Sequence, residues 1–187
     1  MRRSLPWIAT AAVLAVGVYG LREQGRLWIC SCGYVLPWTD AYWGRGTSQH
    51  LLDPASFTHL LHGFVLCGLV ALLAPWAPVA WRLWMAVSIE VGWEVLENSE
   101  FVIQRYREGT AAFGYHGDTV VNSAGDVLSC ALGFLLARRL GFWRALAVFV
   151  AVEGVLAVWI RDGLLLNVIM LIYPLEAIET WQAAGHK

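Results

Sequence analysis

The chain has 187 residues, of which 58% are hydrophobic and 14% charged, and its mean hydropathy is +0.57. A soluble domain carries about 25% charged residues, so this composition excludes an ordinary water-soluble globule and argues for a membrane protein. The formal net charge of −1, with no basic stripe, gives no sign of a nucleic-acid partner.

The N-terminal stretch MRRSLPWIATAAVLAVGVYGL joins a basic start to an apolar run, the pattern of a signal peptide. No small-x-small cleavage site follows, so it reads as an uncleaved first span at about 6–21. Residues 22–55 form a long polar loop with CSCG and GRGTSQH, ending at Asp53-Pro54, a natural helix start. A second span covers about 56–74, and Pro75 and Pro78 bracket a tight turn before a third at about 79–98. A polar loop over 99–117 leads to a fourth span at about 118–137 and a fifth at about 142–160. The last apolar stretch, about 163–181, is interrupted by Asn167 and Pro174 and reads as a sixth span or an interfacial segment. Most of the 11 Trp lie near the ends of these runs, as an interfacial belt requires. The expectation is an all-α polytopic membrane helix bundle of five or six spans, forming a single membrane domain over 1–187.

Arg2, Arg3, Arg82, Arg138, Arg139 and Arg144 fall on one side of this topology, and Arg22, Arg26, Arg45, Arg105, Arg107 and Arg161 on the other. The short loop with Arg138, Arg139 and Arg144 is the denser cluster, and short loops weigh more in the positive-inside rule. This places the N-terminus in the cytoplasm and the two long loops outside.

Polar residues recur on one face of each of three helices. Glu90, Glu94 and Glu97 stand at i, i+4 and i+7 on the third span; Asp118, Asn122 and Asp126 stand at i, i+4 and i+8 on the fourth. His59 and His62 share a face at the start of the second. The second and third spans form a hairpin, so His59, His62, Glu94, Glu97, Asp118 and Asn122 come within roughly 10 Å of one membrane face, with Glu90 and Asp126 about two turns deeper. Ionisable groups inside a bilayer are costly, and stripes at one depth are stable when turned toward one another. Gly125, Ser129 and Gly133 form a small-residue seam beside the stripe for close helix approach.

Two chemistries suit this set. His50, His59 and His62, with carboxylates completing the shell, can hold a divalent metal such as zinc, and His116, Cys30 and Cys32 lie at a similar depth as further donors. Alternatively the histidines hydrogen-bond the acids, and Glu94, Glu97, Asp118 and Asn122, with Glu90 and Asp126 beneath, act as acid–base groups or as a structural network. Glu153 stands alone in the fifth span and suits helix packing. Arg105 and Arg107 suit a solvated loop, counter-charges for Glu97 and Glu100, or a phosphate. A disulfide across Cys30-x-Cys32 closes a very small ring and is expected to be strained, while Cys67 and Cys130 read as buried packing residues.

The order FTHLLHG, WEVLEN, an Arg loop and GDTVVNSAGD resembles an uncharacterised bacterial multi-pass membrane protein family over nearly the whole chain. More distantly it resembles the VanZ-like group over about 48–137, which usually has a Gln where this chain has Glu97 or Asn98. The resemblance implies a bacterial inner-membrane location and an envelope lipid as ligand. It carries no catalytic role with it. Three classes stay open: a lipid-headgroup enzyme, a cation, proton or lipid binder or transporter, and an accessory structural subunit.

Overall fold

Apolar runs punctuated by proline and glycine set the helices. The computed structural model describes residues 4–40, 42–43, 46–110 and 114–185. The described residues form α1 (Leu5–Glu23), α2 (Ser56–Leu73), α3 (Val79–Glu97), α4 (Glu100–Gly109), α5 (Val120–Leu140), α6 (Phe142–Trp159), α7 (Leu164–Ile172) and α8 (Glu176–Ala183), with no strand among them. Helices α1, α2, α5 and α6 are each long and apolar enough to cross a membrane. Helix α3 is equally long, at 19 residues, but carries Arg82 and the three glutamates. Arg2, Arg3 and Arg45, used above for orientation, lie outside the described residues.

Two expectations about the loops are revised. The segment between α3 and α5 is not simply a loop. Ser99 accepts a hydrogen bond from Val102 N–H and Glu100 sits in the first turn, so α4 begins with the acceptor and charge a helix N-terminus favours. The last apolar stretch does not form one long helix. Pro174 separates α7, of 9 residues, from α8, of 8 residues. At 1.5 Å per residue neither reaches about half of the roughly 30 Å hydrocarbon thickness.

The α2–α5 pair is the closest in the bundle, and the small-residue seam explains it. A Cβ on Gly63 would collide with the carbonyl of Cys130, and one on Gly133 would collide with the carbonyl of Leu60. Helix α3 packs beside this pair, and α1 lies along α3 with Gly17 against Val91 and Gly20 against Val95. Leu66, Ala86, Cys130 and Phe134 form a tight apolar core between α2, α3 and α5. Cys67 and Cys130 are free thiols in this packing, as expected. Helix α6 turns back from α5 at Gly141, whose φ of 73° favours glycine.

The two long loops are knit together at one end of the bundle, which is the outcome the hairpin arrangement requires. Gln49 Nε2 donates to Gly117 O at 3.0 Å, Thr119 N–H to Ser48 O at 3.0 Å, and Val120 N–H to Leu27 O at 2.8 Å. The α6 end joins the same face, where Tyr42 donates to Asp162 Oδ2 at 2.5 Å. Glu153 caps α7: its two oxygens accept Leu164 N–H at 2.8 Å and Leu165 N–H at 3.2 Å. The expected packing role for this acid thus takes a specific form.

Candidate functional site

Helices α2, α3 and α5 turn their polar stripes inward. Glu90 is 1% exposed, Glu94 2%, Asp126 2% and Asn122 0%. Helical spacing alone brings each stripe onto one face, and the glycine contacts of α2 with α5 bring the faces together.

The centre is Glu90, which both imidazoles grip. His59 Nδ1 lies 2.7 Å from Glu90 Oε1, and His62 Nδ1 lies 3.0 Å from each Glu90 oxygen. A carboxylate only accepts, so both histidines carry hydrogen on Nδ1 and keep Nε2 for another task. His59 also reaches the other two stripes, with Nδ1 3.2 Å from Glu94 Oε1 and Nε2 4.0 Å from Asp126 Oδ2. Glu90 and Asp126 are therefore part of the same cluster as Glu94.

The loop-side half of the cluster is framed by groups that sequence reasoning passed over. Asn98 is fully buried and holds Asp118 through its amide, while Tyr115 donates to Asp118 Oδ1 at 2.9 Å. Tyr106, on α4, donates to Glu97 Oε1 at 2.9 Å. Ser56 donates to Asp126 Oδ1 at 2.6 Å, and Asp53 accepts Ser48 and Ala55 N–H at 2.8 Å each. Asp118 precedes α5, whose first turn is capped by Thr119. Burial pushes the Asp118 carboxyl above its ordinary range, opposed by the hydrogen bonds from Asn98, Ser48 and Tyr115. Asn98 had a readable signal, since it stands four residues beyond Glu94 on the same face. The tyrosines had none, because only the folded loop brings them in.

The remaining candidates are elsewhere. Asn122 Nδ2 donates to His50 O at 2.9 Å, so Asn122 anchors the first long loop to α5. His50 does not join His59 and His62; it stacks on Tyr34 and lies in a separate group with Cys30 and Cys32. Cys30 and Cys32 are joined to each other as a disulfide. His116 is exposed and meets Arg107, away from the cluster. Among the described residues neither Arg105 nor Arg107 forms an ion pair with Glu97 or Glu100. Arg105 Nε binds Leu171 O at 2.8 Å, and Arg107 Nε binds Tyr115 O at 2.5 Å.

A cavity of about 450 Å³ opens beside the cluster. Its polar end is lined by His59, His62, Glu90, Glu97, Asp118 and Asp126. The rest of its lining mixes apolar side chains, Val65 and Leu66 on α2, Ile89 on α3, Phe149 on α6, and Leu165 and Val168 on α7, with the polar groups of Tyr42, Asp162 and Asn167. That volume suits a small molecule or a headgroup with part of a chain. Chemically, the polar end can hold protons, bind a cation or orient a polar group, and the apolar end can take hydrocarbon.

The sequence matches a family described as "Protein of unknown function (DUF2585)" over residues 21–184. A UPF0314 protein of Paracoccus denitrificans is 43% identical over 98% of this chain and 95% of its own length. The UPF0314 protein R03235 of Rhizobium meliloti is 43% identical over 97% of this chain and 93% of its own. A UPF0314 protein of Sphingopyxis alaskensis is likewise 43% identical, over 96% and 95%. No solved structure matches the chain.

Proposed function

The chain belongs to the DUF2585 family, and we propose that it is a bacterial inner-membrane enzyme that takes the headgroup of a lipid or lipid-linked molecule into the polar end of its cavity. The observation that carries this reading is that one cavity joins a carboxylate–imidazole cluster to an apolar trough. An amphiphile has the same division, with hydrocarbon for Val65, Ile89, Phe149 and Val168 and a polar head for Glu97, His62 and Asp118. Glu97 and Asp118 then exchange protons with the headgroup, and His59 and His62, oriented by Glu90, relay them.

In this reading α1, α2, α3, α5 and α6 span the membrane, and α7, packed against α4, lies with α8 at the outer side. The N-terminus is cytoplasmic, because Arg138, Arg139 and Arg144 crowd the short α5–α6 connection. A cation or proton path through the protein is less well supported. Beyond Glu90 the inner half is closed by Leu66, Ala86, Cys130 and Phe134.

The test is lipid analysis of the protein purified in mild detergent, together with the lipid profile of cells lacking it. The expected result is a co-purifying amphiphile that Val65→Trp expels, and an altered lipid profile that Asp118→Asn does not restore. A folded Asp118→Ala or Glu94→Ala protein that restores the cells fully would remove the enzymatic reading.

A further inference from the structure

We infer that Glu94, Glu97 and His59 form a binding site for one divalent transition-metal cation, of the Zn²⁺ or Mn²⁺ class. The inference deepens the headgroup reading, since the metal would face the polar end of the same cavity, but its observations are separate.

The first observation is an unsatisfied acid. Glu94 is 2% exposed, and neither of its side-chain oxygens has a hydrogen-bond partner. His59 Nδ1 stands 3.2 Å from Glu94 Oε1, yet its hydrogen is directed to Glu90 Oε1 at 2.7 Å. Glu97 repeats the pattern in part: Oε1 accepts from Tyr106, and Oε2 is buried without a partner. A buried carboxylate left so costs several kcal/mol unless a positive charge meets it. Protonating Glu94 would remove the charge, but the new O–H would itself need an acceptor.

The second observation is charge. Asp53, Glu90, Glu94, Glu97, Asp118 and Asp126 all act electrostatically on His59, and Glu90 also holds His62. Among the described residues no arginine or lysine pairs with any of these carboxylates. A bound cation is one way such a balance is met, beside protonation of some of the acids.

The third is geometry. One donor atom each from His59, Glu94 and Glu97 lies within 4.8 Å of the other two, the span of a coordination shell before it closes on an ion. Two carboxylate oxygens and one imidazole nitrogen suit Zn²⁺ or Mn²⁺ better than a soft ion, and three protein ligands leave a coordination position toward the cavity, which His59 and Glu97 line. Glu90, holding Nδ1–H, then orients the His59 ring and leaves Nε2, which also stands 4.0 Å from Asp126 Oδ2, as the ligating atom. His62, also on Glu90, supports it from the other side. The Cys30, Cys32 and His50 group lacks these features, because its sulfurs are bonded to each other.

The test is elemental analysis of the full chain in lipid-stripped detergent, after reconstitution with Zn²⁺ or Mn²⁺ and gel filtration, with X-ray absorption at the metal edge. The expected result is about one equivalent per chain, falling at least about tenfold in Glu94→Gln and in His59→Ala. The triple variant C30S/C32S/H50A should keep its metal. The absorption edge of the wild-type protein should show nitrogen and oxygen neighbours without sulfur, a readout that no variant's folding affects. Binding below about a tenth of an equivalent, a sulfur-containing shell, or metal retained by a folded Glu94→Gln protein would each overturn the site. A metal-free protein that still co-purifies an amphiphile would overturn this inference alone and leave the headgroup reading standing.

Discussion

Asn98 holds Asp118 with both ends of its amide. Its Nδ2 donates to Asp118 Oδ2 at 2.7 Å, and its Oδ1 accepts the Asp118 backbone N–H at 2.6 Å. The pair fastens the end of α3 to the lead-in of α5, so Glu97 and Asp118 keep a fixed spacing across the cavity. Replacing Asn98 by Ala removes both bonds and leaves a buried amide N–H unpaired, at an expected cost of about 2–3 kcal/mol. Asn98→Asp should be worse, since it sets two carboxylates against each other. Thermal unfolding in detergent reads both, and an unchanged midpoint for Asn98→Ala would show that the clasp is dispensable.

The α2–α5 contact makes an opposite forecast for two sets of glycines. Gly63→Ala and Gly133→Ala each drive a methyl into a backbone carbonyl that cannot rotate away. Each should cost about 3 kcal/mol or more and loosen the His59–Glu90 contact. Gly68, Gly92 and Gly154 have open space at the same position. Alanine there should stabilise the helices by up to about 1 kcal/mol each. Equal behaviour of the two sets in a denaturation series would contradict the packing described.

Asp162 carries a pH dependence with a definite sign. Burial pushes its carboxyl from 3.8 up to about 6, partly offset by the hydrogen bonds from Tyr42 and Gly163 N–H. The folded protein therefore holds this proton more tightly than the unfolded chain does. The stabilisation is complete below the unfolded value near 3.8 and is lost as pH rises through about 6, by about 3 kcal/mol. Asp162→Asn should flatten that part of the stability–pH curve, whatever it does to the absolute midpoint.

Glu153 offers a local readout. Its carboxylate accepts the first two amides of α7, a helix of 9 residues that walls the apolar side of the cavity. Glu153→Ala should free those amides and cost about 1–2 kcal/mol. Hydrogen exchange at Leu164 and Leu165 should accelerate well before that of α2 or α5. Unchanged protection there would mean that α7 is held by its side chains alone.

The long helices were legible because a run of apolar residues closed by proline or glycine needs no tertiary information. The three polar stripes were legible for the same reason, since helical periodicity fixes which residues share a face. What the sequence lacked was the partner of each polar atom. His62 could not be assigned to Glu90, nor Tyr106 to Glu97, before the helices had an orientation about their own axes. Helix α4 escaped notice because EFVIQRYREG is marked only by its Ser99 cap, without an apolar run. His50 and His116 were grouped with the cluster by depth, but lateral position separates them, and depth says nothing of that.

The closeness of α2 to α5 also sets an order of events during synthesis. Their apposed glycines are far apart in the chain, so α2 and α3 leave the ribosome before α5 exists to meet them. The first long loop waits as well, because Leu27 and Trp28 offer their carbonyls to the amides of Val120 and Val121. A nascent chain stalled before α5 therefore leaves the acidic face of α3 and the first long loop uncovered, and only the emergence of α5 takes both from view.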